Sequence, residues 1–272
     1  MDTKEKRWQR YLAQIKAFRL MDDDFMTKCF EDNTECVELM LKIILNKSDL
    51  KVIEAKTQVF ILNLKNRSVR LDVLATDNEG QKYNIEIQRA NSGAGFKRAS
   101  YNSSMIDINM LQKNQDFANL PETYIIFITE QDVIGKDLPL YRIERCNIDT
   151  NEIIDDGEHI IYVNGACQDD TPLGKLMQDM ANNDPATMNY SLLAKCVYYY
   201  KNSKEGNETM CKAMEDLWNE AANEGKKEGK KESQREAAFR MLAAGTLTLE
   251  QIAEFSGLTI EEVKQIQKEK AS

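Results

Sequence analysis

The chain has 272 residues, with 36 Lys and Arg against 45 Asp and Glu, for a formal net charge of −9. That length can bury one sizeable core with an appendage, and the acidic balance excludes a general electrostatic grip on DNA, which needs a basic footprint. His159 is the only histidine and the six cysteines include no CxxC, so a structural zinc site, a Cys–His pair and a Ser-His-Asp triad are all disfavoured. No sustained apolar core follows the basic residues between Lys4 and Arg10, as a signal peptide would require. The longest apolar run, Tyr124 to Ile128, is far too short to span a bilayer. The expectation is a soluble, reduced, cytoplasmic protein with no membrane partner.

Residues 4–20 read as a helix with Trp8, Leu12, Ile15 and Leu20 near one face and basic residues on the others. In Asp32-Asn33-Thr34-Glu35, a capping residue followed three positions later by Glu predicts a capping box. The helix it opens runs to about Leu45 and buries Val37, Met40, Leu41 and Ile44. Residues 51–63 are rich in β-branched and apolar types and predict the first core strand.

Two runs with apolar residues at alternate positions, Arg70 to Thr76 and Gln81 to Gln88, flank Asp77-Asn78-Glu79-Gly80 and predict a β-hairpin. Gly80 suits the left-handed position of a three-residue loop, which pairs Asp77 with Gln81. Paired positions then sum to 158, so Asp72 and Glu86 stand opposite each other, with Gln88 on the same face. Opposed carboxylates roughly 4.5–5.5 Å apart repel, and the conflict resolves by sharing a proton or a cation. Mg²⁺ is usually held by one or two carboxylates plus substrate phosphates. A solvated hairpin face with ordinary carboxylates is the alternative. Lys65, Arg67, Arg70, Lys82, Arg89, Lys97 and Arg98 lie close in sequence and suit a positive rim for a phosphodiester, with scattered surface charge as the other reading.

Helical periodicity returns over residues 96–117, with Phe96, Ala99, Ile106 and Met110 as core. Thr123 to Thr129 reads as a strand buried on both faces. Further strands are predicted at Leu140–Arg145 and Ile160–Val163, and a helix at residues 173–201. The repeated Glu-Gly-Lys-Lys of residues 224–231 predicts a frayed helical linker, because each Gly costs about 1 kcal/mol against helix and each Glu–Lys pair returns only a few tenths. Leu247 to Phe255, the turn Ser256-Gly257-Leu258 and a last helix capped by Thr259 form a helix-turn-helix-like hairpin. Glu261 and Glu262 in its final helix fit self-association or docking better than base reading. The resulting domain expectation is a core over residues 1–205, a charged linker over 206–236 and the small hairpin over 237–272.

Leu71-Asp72-Val73 and Asn84-Ile85-Glu86-Ile87-Gln88, separated by the hairpin turn, resemble the core of the PD-(D/E)XK nuclease superfamily, closest to its recombination-promoting, transposase-like branch. The likeness continues through Leu120 to Thr129, Leu138 to Tyr141, Ile160 to Gly165 and Leu173 to Met177, from about Asp22 to about Glu220. It implies an α/β, restriction-endonuclease-like core, a mixed sheet flanked by helices, here with a C-terminal helical extension. It also implies a metal-dependent endodeoxyribonuclease that hydrolyses DNA phosphodiester bonds in recombination or transposition. Catalysis would fall to Asp72, Glu86 and Gln88, with Mg²⁺ or Mn²⁺ held by Asp72, Glu86 and the Ile87 carbonyl. Glu35, or else Glu38, best matches the further acidic ligand that the superfamily takes from its first core helix. Gln88 occupies the usual Lys position, as is the norm in this branch, and can only orient water or phosphate by hydrogen bonds. Arg98 and Tyr101 match the helix that turns polar residues toward the site, and Arg98, Lys97, Tyr101 and Arg70 are the DNA- or phosphate-binding expectations. DNA is the implied partner, and a homodimer through the C-terminal helices is a further expectation. Two alternatives stay open: a non-catalytic DNA- or protein-binding member, and a phage-defence or toxin nuclease.

Overall fold

A computed structural model of the chain describes residues 4–63, 66–89 and 93–271. Lys65 of the expected basic rim lies outside the described residues. The chain divides into two compact units, Met1–Cys211 and Lys212–Ser272.

Three helices open the first unit: α1 (Lys4–Ala17), α2 (Asp23–Phe30) and α3 (Thr34–Leu45). The strands are β1 (Val52–Ile61), β2 (Val69–Asp77), β3 (Lys82–Gln88), β4 (Thr123–Thr129), β5 (Leu140–Ile143), β6 (Cys146–Asn147), β7 (Glu152–Ile153) and β8 (Glu158–Asn164). Among the described residues six of them form one sheet in the order β1-β2-β3-β4-β8-β5, while β6 and β7 pair separately. The β3–β4 and β4–β8 pairs are parallel and the rest antiparallel. Helix α4 (Phe96–Met110) makes the crossover between parallel β3 and β4, a connection too long for a turn. With α5 (Pro172–Ala181) and α6 (Ser191–Asn202), these helices flank the mixed sheet, which is the restriction-endonuclease-like arrangement the resemblance implies.

Strand β4 is buried along its whole length. Its unbroken Tyr-Ile-Ile-Phe-Ile run is what a central parallel strand covered on both faces needs, each such side chain contributing roughly 1.5–3 kcal/mol. Val37, Met40, Leu41 and Ile44 of α3 are all buried, as their spacing predicts.

Several local expectations give way to the structure. The cap of α3 is Asn33, whose side chain accepts from the Cys36 N–H at 3.2 Å, so the Asp32–Glu35 capping box does not form. Asp32 instead takes a left-handed φ of 55°. Helix α4 ends at Met110, and Phe96, in its first turn, is 58% exposed rather than core. Residues 173–201 are two helices, not one. The break falls at Asn183-Asp184-Pro185, where proline removes an N–H and disfavours helix in the residue before it. Buried Asp179 organises the link by accepting from the Asn189 and Tyr190 N–H groups at 2.7 and 2.8 Å.

Helix α7 (Lys204–Ala244) runs without interruption through Gly225 and Gly229, so the frayed linker is a continuous helix, and the boundary between the units falls within it. Within the second unit, α8 (Leu249–Ser256) carries a capping box between Thr248 and Gln251. Gly257 provides the left-handed C-cap at φ 70°. Thr259 caps α9 (Ile260–Ala271) reciprocally with Glu262. Ala238, Ile252, Ala253, Val263 and Ile266 form its small core. Among the described residues no helix is long and apolar enough to cross a membrane, and all six cysteines are free thiols.

Candidate active site

The β2–β3 hairpin pairs in the register that Gly80 dictates. Gly80 has φ +88°, Asp77 N–H donates to the Gln81 carbonyl at 3.3 Å, and the ladder runs Thr76–Lys82, Ala75–Tyr83, Leu74–Asn84 and Val73–Ile85. Asp77 locks the loop by accepting from the Glu79 and Gln81 N–H groups at 3.0 and 2.9 Å.

Beyond Val73–Ile85 the strands part, and carboxylates take over the backbone's hydrogen bonds. Asp72 Oδ2 accepts from the Ile87 N–H at 3.0 Å, and Glu86 Oε1 accepts from the Asp72 N–H at 3.4 Å. The two acids therefore meet in a wedge between diverging strands rather than on an open hairpin face. Asp72 is 7% exposed and Glu86 fully buried, so neither is an ordinary solvated carboxylate.

Every oxygen of Glu86 is engaged. Asn84 Nδ2 donates to Oε1 at 3.0 Å, and Arg98 Nη2 of α4 donates to Oε2 at 2.5 Å. Asn84 is itself oriented by buried Asn102, whose Nδ2 donates to Asn84 Oδ1 at 3.2 Å. Arg98 and Asn102 lie four residues apart, hence on one face of α4. Arg98 also donates to the Gly93 carbonyl at 3.0 Å and lies 5.8 Å from the centre of the Phe127 ring.

Electrostatics follow from this burial. Desolvation, then the charge of Glu86, then that of Asp23, push the Asp72 carboxyl up to about 7. Burial raises Glu86 as well, against the opposing pull of Asn84 and Arg98, with Asp23 adding to the rise. The pair resists carrying two negative charges and thus favours a shared proton or a cation.

Asp23, in the first turn of α2, is the third acid whose charge acts on the pair. It is held by Gln58 of β1, whose Nε2 donates to Asp23 Oδ1 and Thr27 Oγ1, both at 3.1 Å. Gln58 faces Asp72 in the β1–β2 register but makes no ladder pair, its φ being +51°. An ion-pair network fixes the approach to α2: Arg19 to Glu130 at 2.8 Å, and Arg89 to Asp22 at 2.9 Å and to Glu130 at 3.3 Å.

The other anticipated residues are more scattered. Glu35 is exposed in the first turn of α3. Glu38 ties α3 to β1 by accepting from the Val52 N–H at 3.0 Å and pairing with Lys42 and Lys51. Tyr101 donates to the Arg67 carbonyl at 2.5 Å and packs against the core. Lys97 and Arg70 are exposed. Gln88 is half-buried beside Gly93, where an added β-carbon would stand 1.9 Å from its Oε1. Sequence reading missed Asp23, Asn84, Asn102 and Gln58. The four-residue spacing of Arg98 and Asn102 and the place of Asn84 two before Glu86 were the available signals.

Among the described residues no three His, Cys, Asp or Glu side chains converge as a metal cage. The donors that do meet, the Asp72 and Glu86 carboxylates, are hard oxygens of the kind Mg²⁺ and Mn²⁺ take while keeping water and phosphate ligands. The donor set therefore fits a divalent ion that completes its shell with substrate.

Residues 25–167 match the family model described as PD-(D/E)XK nuclease family transposase. No curated protein and no solved structure matches the chain.

Proposed function

The chain belongs to the PD-(D/E)XK nuclease family transposases, and from that premise we propose that it is a metal-dependent endodeoxyribonuclease acting in DNA recombination or transposition. Asp72 and Glu86, with the Ile87 carbonyl, hold Mg²⁺ or Mn²⁺. A bound divalent ion supplies charge neutralisation at the scissile phosphate and acidifies a water for attack. Asn102 and Asn84 keep the Glu86 carboxylate turned toward the wedge. Arg98, which bonds Glu86 and the Gly93 carbonyl, would turn its planar fork to a phosphate oxygen once substrate enters, and Gln88 would orient water or phosphate by hydrogen bonding. Asp23 adds negative charge on the α2 side and strengthens the attraction for a cation.

The observation that carries this reading is the pair itself: two buried carboxylates, each bonded to the other's strand, at a cost that a cation offsets. One contact favours a second reading. Arg98 already neutralises Glu86 at 2.5 Å, as it would in a DNA-binding member without turnover. Nicking of supercoiled plasmid in Mg²⁺ or Mn²⁺ separates the two, with Asp72→Ala matched to wild type by circular dichroism. Turnover by wild type alone supports the nuclease; equal activity in both proteins, or none in either, refutes it.

A further inference from the structure

The sheet edge beside the acids carries an aromatic ring in water. Phe60 of β1 is the cross-strand partner of Arg70 on β2, two residues along from Asp72. Directly paired residues share a face with β-carbons roughly 4.5–5.5 Å apart, so Phe60 and Arg70 leave the same face of the sheet from neighbouring positions. Phe60 is 62% exposed and Leu62, just past the strand end, 59%; Arg70 is exposed too. The charge of Arg70 is felt by Asp24 in the first turn of α2. Asp24 adjoins Asp23, whose charge acts on the Asp72–Glu86 pair.

An exposed ring next to an arginine, one step from acids assigned to phosphodiester chemistry, has a specific use. It offers a stacking platform for a base and a cation for the adjoining phosphate, the combination with which proteins hold single strands. Bases inside a duplex are already stacked and closed to it. With a net charge of −9 the chain gains little from tracking any nucleic-acid backbone, so its affinity must come from local contacts such as base stacking.

We propose that the substrate is DNA unpaired at the cleavage position, a single strand or a bubble, with a base stacked on Phe60 and its phosphate held by Arg70. This rests on the nuclease reading for its biological meaning, but binding tests it without turnover. Fluorescence anisotropy in Ca²⁺ would compare a labelled single strand, a mismatch-bubble duplex and a fully paired duplex of one sequence. The proteins are the full-length wild type, Phe60→Ala and Phe60→Trp, each checked for fold by circular dichroism.

Wild type should bind the unpaired substrates at least about tenfold tighter than the paired duplex. Phe60→Ala should lose about fivefold to 150-fold on them, the ~1–3 kcal/mol of one stacked base, with little change on the paired duplex. Phe60→Trp should retain wild-type binding. Equal affinity for paired and unpaired DNA, or a loss in Phe60→Ala that is absent or the same on all three substrates, overturns the proposal. Expected binding with no cleavage in Mg²⁺ or Mn²⁺ would sink the nuclease reading and leave this one standing.

Discussion

Replacing Asp72 with Asn should make the metal-free protein more stable while disabling the site. Asp72 is 7% exposed, and its carboxyl is pushed from an ordinary value near 3.9 up to about 7, first by burial and then by the charge of Glu86. Such a group contributes stability that is fully present below the unfolded value and is lost as pH rises through the folded one. At about 1.36 kcal/mol per pKa unit, the stability lost through the raised Asp72 pKa is about 4 kcal/mol at pH 8, where the folded carboxyl is ionised. It is about 1.5 kcal/mol at pH 5, where the folded carboxyl holds a proton that the unfolded chain has released. A direct estimate for unit charges ~5 Å apart at an effective dielectric of ~20 gives about 3 kcal/mol. Asn keeps an oxygen that can accept from the Ile87 N–H, so the substitution removes charge without removing that bond. In chelator at pH 8, Asp72→Asn should therefore gain about 2–4 kcal/mol, a rise in Tm of roughly 5–15 °C for a chain of this size. The advantage should shrink at pH 5. Saturating Mg²⁺ should raise the Tm of wild type and leave the variant nearly unmoved. Thermal unfolding followed by circular dichroism reads all of these. A variant less stable than wild type at pH 8 in chelator, or an advantage independent of pH, would refute the reasoning.

Other consequences follow from neighbouring contacts. Arg98→Gln strips the counter-charge from fully buried Glu86, and should cost about 2–4 kcal/mol in chelator by urea unfolding; a loss below about 1 kcal/mol would show that the pair is not what stabilises Glu86. Asn102→Leu leaves Asn84 Oδ1 without its donor. It should cost about 1–3 kcal/mol and raise the Mn²⁺ concentration needed for half-maximal cleavage, whereas an unchanged Mn²⁺ requirement would reduce Asn102 to a packing residue. Asp132 resists protonation: burial would raise it, but Tyr141 and the Gly135, Asp137 and Ile134 N–H groups outweigh that and hold it at about 2. Its contribution, about 1–2 kcal/mol after discounting for partial exposure, is present above pH ~4 and disappears as pH falls toward 2. Asp132→Ala should lose that amount at pH 7 and flatten this part of the acid-unfolding curve.

Features set by short-range rules were legible in the sequence. Gly80 takes a left-handed loop position, and the register it sets leads Asp72 and Glu86 to meet just past the last ladder pair. The near-continuous apolar run of Thr123–Thr129 marks the central strand, and Thr259 marks the start of the last helix. What eluded sequence reading depends on packing between distant segments. Nothing in the order Asp22-Asp23-Asp24 points to the hairpin, and only the approach of α2 to β1 and β2 sets Asp23 against the pair. Asp32 is a good capping residue three positions before Glu35, but its left-handed backbone leaves the cap to Asn33. Gly225 and Gly229 stay helical although each disfavours helix, a preference that a 41-residue helix with Glu and Lys in adjacent turns overrides. The parting of β2 from β3 after Val73–Ile85 is invisible to alternation patterns, yet it turns a surface hairpin into a buried wedge.

Titration with Mn²⁺ followed by electron paramagnetic resonance, on wild type, Asp72→Asn and Glu86→Gln, bears most directly on the role given to the two acids. Wild type should bind the ion at a site that each substitution weakens at least about tenfold, a difference of ~1.4 kcal/mol or more. Equal affinity in all three proteins would show that the buried carboxylates hold no cation.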